Sequence, residues 1–599
     1  MEVQMLRGMA DQLKSGVLEE GLRLREYVPV GEMIPGMAYL VRRLLENTSN
    51  ESWLRSSFVD DADASVLLGS PHLDHQEDDP GICRIQDAPE RHHLSPAVDE
   101  VGDGRPFFTE PYRDFSITSV REDFAAAISR AKIPNVQRIS TSEEATAIVD
   151  RAHAAFPAWR DEDPITRSNV LVNAAKIMRG RRDELCGIVM QESGKTWREA
   201  DGDICESIDF CEYYARLAPS LFAYERLGKF IGELDQQFYQ PRGVTAVISP
   251  WNFPMAICCG MTVAALVTGN TVLVKPAGQT TGIAKLICEM LWEAGAPKEV
   301  LHFVAGPGSI VGSTLVRDPR VAIIAFTGSK AVGLDILKAA GCTPDNQAFV
   351  KKVICEMGGK NAIIIDASAD LDEAVLGVRQ SSFGYQGQKC SACSRAIVVD
   401  SAHDQFLKRL VESSRTLVIG DVMDPCTDVG PVIDARAAKE IREYIEIGKN
   451  EGTLELAEPI PEGLEEKTGR SYIAPHIFSG IQSHDRIAQE EIFGPVLAVL
   501  RVKDFDEALE VANSTIYKLT GAVYSRKPAH LEKARREFRV GNLYLNRGCT
   551  GALVGRQPFG GFGMSGVGSK AGGRDYLLQF VEPRAICENT MRRGFAPGL

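Results

Sequence analysis

The sequence predicts an α/β protein: a doubly wound parallel sheet followed by a second α/β domain of similar size. Three observations predict it. Short apolar, β-branched runs recur between residues 244 and 356. A helical pattern of about 10–15 residues separates most of them, the alternation of a parallel sheet with its crossover helices. The runs end on polar or glycine-bearing turns, and the carboxyl ends of strands are where such sheets bind ligands.

Taken in order, VTAVIS (244–249) reads as a strand and MAICCGMTVAALVTG as a helix. TVLVK (271–275) is a strand, and TTGIAKLICEMLWEAG a helix ended by Gly295. VLHFVAG is a strand and SIVGSTLVRD a helix. VAIIAFTG is a strand and SKAVGLDILKAAG a helix. KKVICE is a strand that ends on Glu356. A second series follows with NAIIID, DEAVLGVRQSSFGY, RAIVVD and HDQFLKRLVESSRTL. Ahead of the first sheet, residues 120–235 are dominated by helical periodicity, and Thr141 with Glu144 three positions on forms a capping box.

The first 55 residues form a separate unit in which Met37, Leu40, Val41, Leu44 and Leu45 share a helical face. Residues 56–115 are rich in Pro, Gly, Asp and His and read as a linker or arm. Its histidines, His72, His75, His92 and His93, are irregularly spaced with no cysteine pair nearby, which favours a solvated loop over a metal site.

Composition excludes several classes. Of 599 residues, 44% are hydrophobic and 25% charged, as in a soluble globular protein. The net charge of −14 argues against nucleic acid as a partner. No uninterrupted apolar run reaches the roughly 18 residues of a membrane span, and the start lacks a signal peptide, so a cytoplasmic protein is expected. Many of the 14 cysteines sit in apolar runs (Cys258, Cys259, Cys288, Cys355) and read as buried side chains in a reducing compartment.

Two motifs are decoys. Gly561-Phe-Gly563-Met-Ser-Gly566 matches the dinucleotide fingerprint but follows no β-branched strand and opens no helix. Cys390-Ser-Ala-Cys393 lacks the second pair or spaced histidines of a zinc site, so no metal is expected. The strand ends say more. Asn252, between Pro250 and Pro254, either donates to an oxyanion or satisfies its own turn. Lys275 either meets a ribose or phosphate or is a solvated strand-end charge. Thr327-Gly328-Ser329 leads into a helix whose N–H groups suit a pyrophosphate; an ordinary tight turn is the alternative. Glu356, beside Gly358 and Gly359, can act as a movable base. Cys390 follows Lys389, whose charge would depress the thiol pKa; a cysteine buried away from charge would be inert.

Seven segments in order resemble the aldehyde dehydrogenase superfamily: PWNFP (250–254), VKPA (274–277), FTGS (326–329), EMGGKN (356–361), GQKC (387–390), EEIFGPV (490–496) and PFGG (558–561). MQESGKTWREADGDICESIDFCEYYAR, SSFGYQGQKCSACSR and NRGCTGALVGRQPFGG resemble its L-glutamate γ-semialdehyde dehydrogenases. These oxidise the hydrolysed form of Δ1-pyrroline-5-carboxylate to glutamate in proline catabolism. Residues 26–54, with Tyr39, Arg42 and Arg43, resemble the end of a proline dehydrogenase domain. Together the halves are similar to bifunctional proline utilisation A. A proline dehydrogenase barrel needs about 200 residues or more, so no FAD and no proline oxidation are expected of this chain. The remnant would be a relic, or would complete a barrel carried by a separate proline dehydrogenase.

The resemblance implies a proline dehydrogenase remnant (1–55), an arm (56–115), an NAD-binding domain (116–355), a catalytic domain (356–545) and an anchor loop with an oligomerisation segment (546–599). It implies Cys390 as nucleophile, Glu356 as general base and Asn252 with the Cys390 N–H as oxyanion hole. It assigns Ser249, Pro250, Trp251 and Lys275 to the adenosine side of NAD, Thr327, Gly328 and Ser329 to the pyrophosphate, and Glu491 and Phe493 to the nicotinamide ribose. Gly551, Ala552 and Ser391 would hold the substrate carboxylate, Phe253 and Phe559 its stem, with Glu206 and Lys389 close by. Many NAD-preferring relatives carry a glutamate where this chain has Gly278, which leaves NADP use open. The strand-like FVEPRAICENT implies a homodimer or higher oligomer. Two rival readings remain: a dehydrogenase for another semialdehyde, such as succinate semialdehyde, and a non-catalytic relative.

Overall fold

The computed structural model describes residues 2–7, 11–28 and 98–591. The helical face beyond Gly36, Tyr39, Arg42, Arg43 and the four arm histidines lie outside the described residues, as does most of the 56–115 arm. Two units separate, Met1–His93 and Leu94–Leu599. In the first, β1 (Glu2–Leu6) pairs in parallel with β2 (Arg23–Tyr27) across the helix Asp11–Glu19. This crossover escapes a reading of periodicity, because RLREY carries too few apolar residues to announce a strand.

The second unit opens with helices. The capping box is formed, with Thr141 accepting from the Glu144 N–H and Glu144 reaching back to the Thr141 N–H. The helix Trp197–Phe222 is buried on almost every side from Asp203 to Arg216, packed against the helices Pro164–Gly180, Arg182–Ser193 and Ala256–Val267. A hairpin follows, β3 (Glu225–Arg226) and β4 (Glu233–Pro241).

The first large sheet holds β5 (Val244–Ile248), β6 (Thr271–Lys275), β7 (Leu301–Phe303), β8 (Val321–Thr327) and β9 (Lys352–Glu356). All five pair in parallel, in the order β9-β8-β5-β6-β7. β5 and β6 are buried at every position, as β-branched strands covered on both faces must be. The helix Ala256–Val267 between them is apolar all round and almost wholly buried, which is why it has no polar face. Cys258, Cys259, Cys288 and Cys355 are fully buried. The expected helix SIVGSTLVRD is shorter: a wide π turn over Gly308–Gly312 precedes one turn of α-helix, Ser313–Arg317.

The second sheet begins at β10 (Asn361–Ile365) and continues with β11 (Cys393–Val399), β12 (Thr453–Ala457), β13 (His476–Ser479) and β14 (Val496–Val502). After β15 (Tyr517–Lys518) come β16 (Thr520–Tyr524) and β17 (Asn542–Leu545), which complete the order β12-β13-β14-β11-β10-β16-β17. The chain then returns: β18 (Phe562–Gly563) pairs with β15, and β19 (Gly566–Val567) joins the first sheet antiparallel to β9. Finally β20 (Val581–Asn589) runs antiparallel to β4 along nine residues, from Val581 on Pro241 to Asn589 on Glu233. Phe230, Ile231 and Met591 leave apolar surface exposed at the far end of this ribbon. Among the described residues, no helix is long and apolar enough to cross a membrane.

Candidate active site

The register of the first sheet sets the site. Ile248 faces Lys275 on one side and Phe326 on the other, and Thr327 faces Glu356. Thus Lys275, Ser249, Thr327 and Glu356 leave neighbouring strands along one carboxyl edge, though 81 positions separate the first from the last. Ser249 donates its N–H to the Lys275 carbonyl at 3.1 Å. The Lys275 ammonium is buried, touches only the Pro276 carbonyl at 3.0 Å, and burial pulls its pKa down. Gly312 lies against its stem, where a Cβ would stand 3.8 Å from Cε. Ser329 caps the helix Lys330–Ala340 by accepting from the Val332 N–H. Such an edge, with an under-partnered buried cation and a helix N-terminus, fits an anionic dinucleotide.

A cavity of about 1170 Å3 opens beside this edge. Cys390, Glu356, Glu206, Phe253, Ser391 and Phe559 line it, with Lys389, Gly551 and Ala552. The segment before Cys390 is tightly wound. Tyr385 and Gln386 hold φ of 50° and 55°, left-handed conformations that side chains adopt at a cost. Gln386 donates to the Gly194 and Pro431 carbonyls, and Tyr385 to the Ser193 carbonyl, which secures them. From the other side Asn361 donates to the carbonyls of Cys390 (2.7 Å) and Ala392 (2.9 Å). Asn252 is buried, and its amide donates to the Gln388 carbonyl at 3.2 Å, so its orientation is fixed within reach of the same loop.

The electrostatics of the Cys390 thiol correct the sequence reading. Lys389 does not depress the Cys390 thiol: its ammonium points to Glu199 at 2.6 Å. Burial instead pushes the Cys390 thiol up to about 12, and the Glu491 and Glu356 carboxyls add to the effect. Adjacency in sequence misled because side chains of successive residues diverge.

Glu356 has one buried oxygen, Oε2, with no hydrogen-bond partner. Burial raises its pKa to about 8, against pulls from the Gly561 N–H and Lys570. Glu206 is likewise raised to about 8 by burial and then by Asp203. Glu491 accepts from the Gly359 N–H at 2.8 Å and is raised by burial to about 7. A Cβ at Gly358 would collide with the Glu491 carboxylate, so the glycine pair after Glu356 makes room for a second acid. Phe493 sits at φ 58° with its ring edge-on to Trp251, centroids 5.4 Å apart. The Phe253 ring carries the buried Lys195 ammonium 3.7 Å above its centroid. Ser391 is buried beside Cys390, and Gly551 at φ 76° turns the loop that passes it.

The sequence reading missed Glu199, Lys195, Asp203, Tyr385, Asn361 and Lys570. All but Lys570 stood inside segments quoted for the resemblance, yet nothing local marked them as site residues.

The chain matches the aldehyde dehydrogenase family over residues 122–586 and the proline dehydrogenase family over residues 1–56. It is 45% identical to 1-pyrroline-5-carboxylate dehydrogenase of Geobacillus thermodenitrificans, with 81% of this chain and 99% of that one covered. It resembles the structure of 1-pyrroline-5-carboxylate dehydrogenase from Thermus with bound NAD (43% identity, TM-score 0.77, covering 81% of this chain and 99% of that one). It also resembles proline utilization A of Bdellovibrio bacteriovorus (44% identity, TM-score 0.83) over its whole length, and spans 63% of the length of that protein.

Proposed function

This chain belongs to the aldehyde dehydrogenase family, and we propose that it oxidises L-glutamate γ-semialdehyde, the open form of Δ1-pyrroline-5-carboxylate, to L-glutamate with NAD as acceptor. The observation that carries the proposal is one cavity bringing a thiol, a carboxyl raised by burial and a glycine-turned loop together, in a chain so similar to enzymes named for this substrate.

The chemistry follows from what the residues can do. Cys390 attacks the aldehyde carbon as thiolate. The thiol, raised to about 12, gives its proton to solvent in the open cavity as the thiolate attacks, and Glu356, at about 8, is kept for the water step. The Asn252 amide and the Cys390 N–H stabilise the charge that develops on the aldehyde oxygen. When bound, NAD supplies the hydride acceptor. Lys275, Ser249, Pro250 and Trp251 would hold its adenosine end, Thr327, Gly328 and Ser329 its pyrophosphate, and Glu491 and Phe493 the nicotinamide ribose. Glu356 then takes a proton from the water that hydrolyses the Cys390 thioester. Gly551, Ala552 and Ser391 bind the amino-acid carboxylate, with Phe253 and Phe559 on either side of the stem and Glu206 and the Lys389–Glu199 pair walling the cavity.

A Cβ at Gly278 would meet nothing within 4 Å, so no side chain there opposes a 2′-phosphate, and NADP is a second acceptor. The exposed apolar tip of the β4–β20 ribbon supports a homodimer or higher homo-oligomer in the cytoplasm. Residues 1–56 match the proline dehydrogenase family, whose barrel needs about 200 residues or more, which supports docking on a separate proline dehydrogenase.

NADH formation with Δ1-pyrroline-5-carboxylate, compared with succinate semialdehyde, NADP and the Cys390→Ala variant, tests the proposal. Turnover of the first substrate and its loss in the variant are expected. Turnover of succinate semialdehyde alone would leave the nucleophile standing and overturn the substrate.

A further inference from the structure

We propose that Lys570 is a positioning residue for the general base: it fixes the glycine turn against which Glu356 rests and supplies the positive charge that the carboxylate faces. The inference rests on the reading of Glu356 as base.

The return of the chain after residue 557 wraps this carboxyl. β19 pairs Gly566 with Glu356, and the Met357 N–H donates to the Ser565 carbonyl at 2.8 Å. Gly560 lies between the Glu356 carboxyl and the stem of Lys570. A Cβ there would stand 2.8 Å from Glu356 Oε1 and 3.4 Å from both Cα and Cγ of Lys570, so any larger residue would displace one of them. Lys570 is tied to the same turn. Its ammonium donates to the Gly541 carbonyl and to Asn542 Oδ1 (3.1 Å). The Asn542 amide donates to the Pro558 carbonyl at 2.9 Å, and its Oδ1 also accepts from the Gly560 N–H at 3.4 Å. Phe559 and Ala571 exchange backbone hydrogen bonds of 2.8 Å in both directions. One lysine therefore braces the residue that would grip the substrate stem and the turn beneath the base.

The charges around Glu356 leave Lys570 a distinct part. The other titratable neighbours, Cys355 on its own strand, Cys390 across the cavity and Tyr576 on the returning segment, are all pushed up and neutral near pH 7. Among the described residues, Lys570 supplies the cationic pull on Glu356, against the burial that raises it. Burial lowers the Lys570 pKa and Glu356 holds it up, so the two charges support one another. Without the lysine, less of the carboxylate would be ionised at neutral pH, and the water step would slow while thioester formation proceeded.

The test compares Lys570→Gln, Lys570→Met and Lys570→Arg by rapid mixing and by the pH profile of steady-state turnover. Lys570→Gln keeps a donor without charge. Its burst of NADH is expected to survive, while the acid limb of turnover moves up by about one pH unit, costing about tenfold at neutral pH. Lys570→Arg keeps the charge and should return the limb toward wild type. Lys570→Met keeps the stem against Gly560 and carries the same comparison if the glutamine variant does not fold. A limb that stays in place in the uncharged variants, or moves equally in Lys570→Arg, would overturn the proposal. Glu356→Gln run in parallel separates the two readings: if it still hydrolyses its thioester at the wild-type rate, the base assignment itself fails.

Discussion

Along the helix Trp197–Phe222, three carboxylates meet buried or half-buried cations. Arg182 meets Asp201 at 2.7 Å, Lys195 meets Asp203 at 3.2 Å, and Lys389 meets Glu199 at 2.6 Å. At the Cys390 end of the cavity, Glu356 Oε2 has no hydrogen-bond partner among the described residues, and the Glu491 and Glu356 carboxyls bear on the Cys390 thiol. Burial opposes the charged form in both regions, yet in the first a counter-charge stands within 3.2 Å of each carboxylate. The difference is what separates scaffold from chemistry. A buried charge with a partner secures the fold, whereas one without waits for a ligand or a proton.

The sharpest way to break this comparison is at the nucleophile. Cys390→Ala is expected to lower turnover by about 10^4-fold or more, since no other group can form the thioester. An unchanged melting temperature beside that loss would confine the effect to chemistry. Glu356→Gln should cost about 10^2–10^4-fold in steady-state rate and preserve a burst of NADH. Because the working form is the carboxylate and burial has raised it to about 8, wild-type turnover should climb as pH rises through 8. The variant should show no such climb.

The paired wall answers to stability instead. Lys195→Met leaves Asp203 buried without its cation and should cost about 3–5 kcal/mol in denaturant unfolding, with loss of the ring contact to Phe253 as a second effect. A loss below about 1 kcal/mol would mean that Asp203 is neutral in the native protein. The smallest effect is a slope. Glu206 binds its proton more tightly in the folded chain than in the unfolded one, so the native state holds more protons between its ordinary pKa and about 8. Stability therefore falls as pH rises through that window, and Glu206→Gln should flatten the fall in melting temperature.

Much of the site was legible in the residues. Asn252 between two prolines, the glycines after Glu356 and the small turn at Thr327 each mark a backbone demand that few residue types meet. The strands were legible because burial on both faces imposes an unbroken apolar run. Two readings failed where the relevant partner was remote. Lys389 was set beside Cys390 by sequence but turns 190 positions back to Glu199. The βαβ unit of residues 2–27 escaped because its second strand, RLREY, is charged and four of its five residues are exposed.

By itself, then, the sequence determined the alternation of strands and helices from residue 244 to 356, the family, and the candidate thiol and carboxyl, Cys390 and Glu356, that line one cavity. These follow from local patterns of polarity and from backbone positions that tolerate only particular residues. Tertiary structure alone decided that the thiol is raised rather than depressed, that Glu206 holds its proton, and that Lys570 lies behind Gly560. Protonation depends on desolvation and on charges brought close in space, and neither quantity is written in the spacing of residues along the chain.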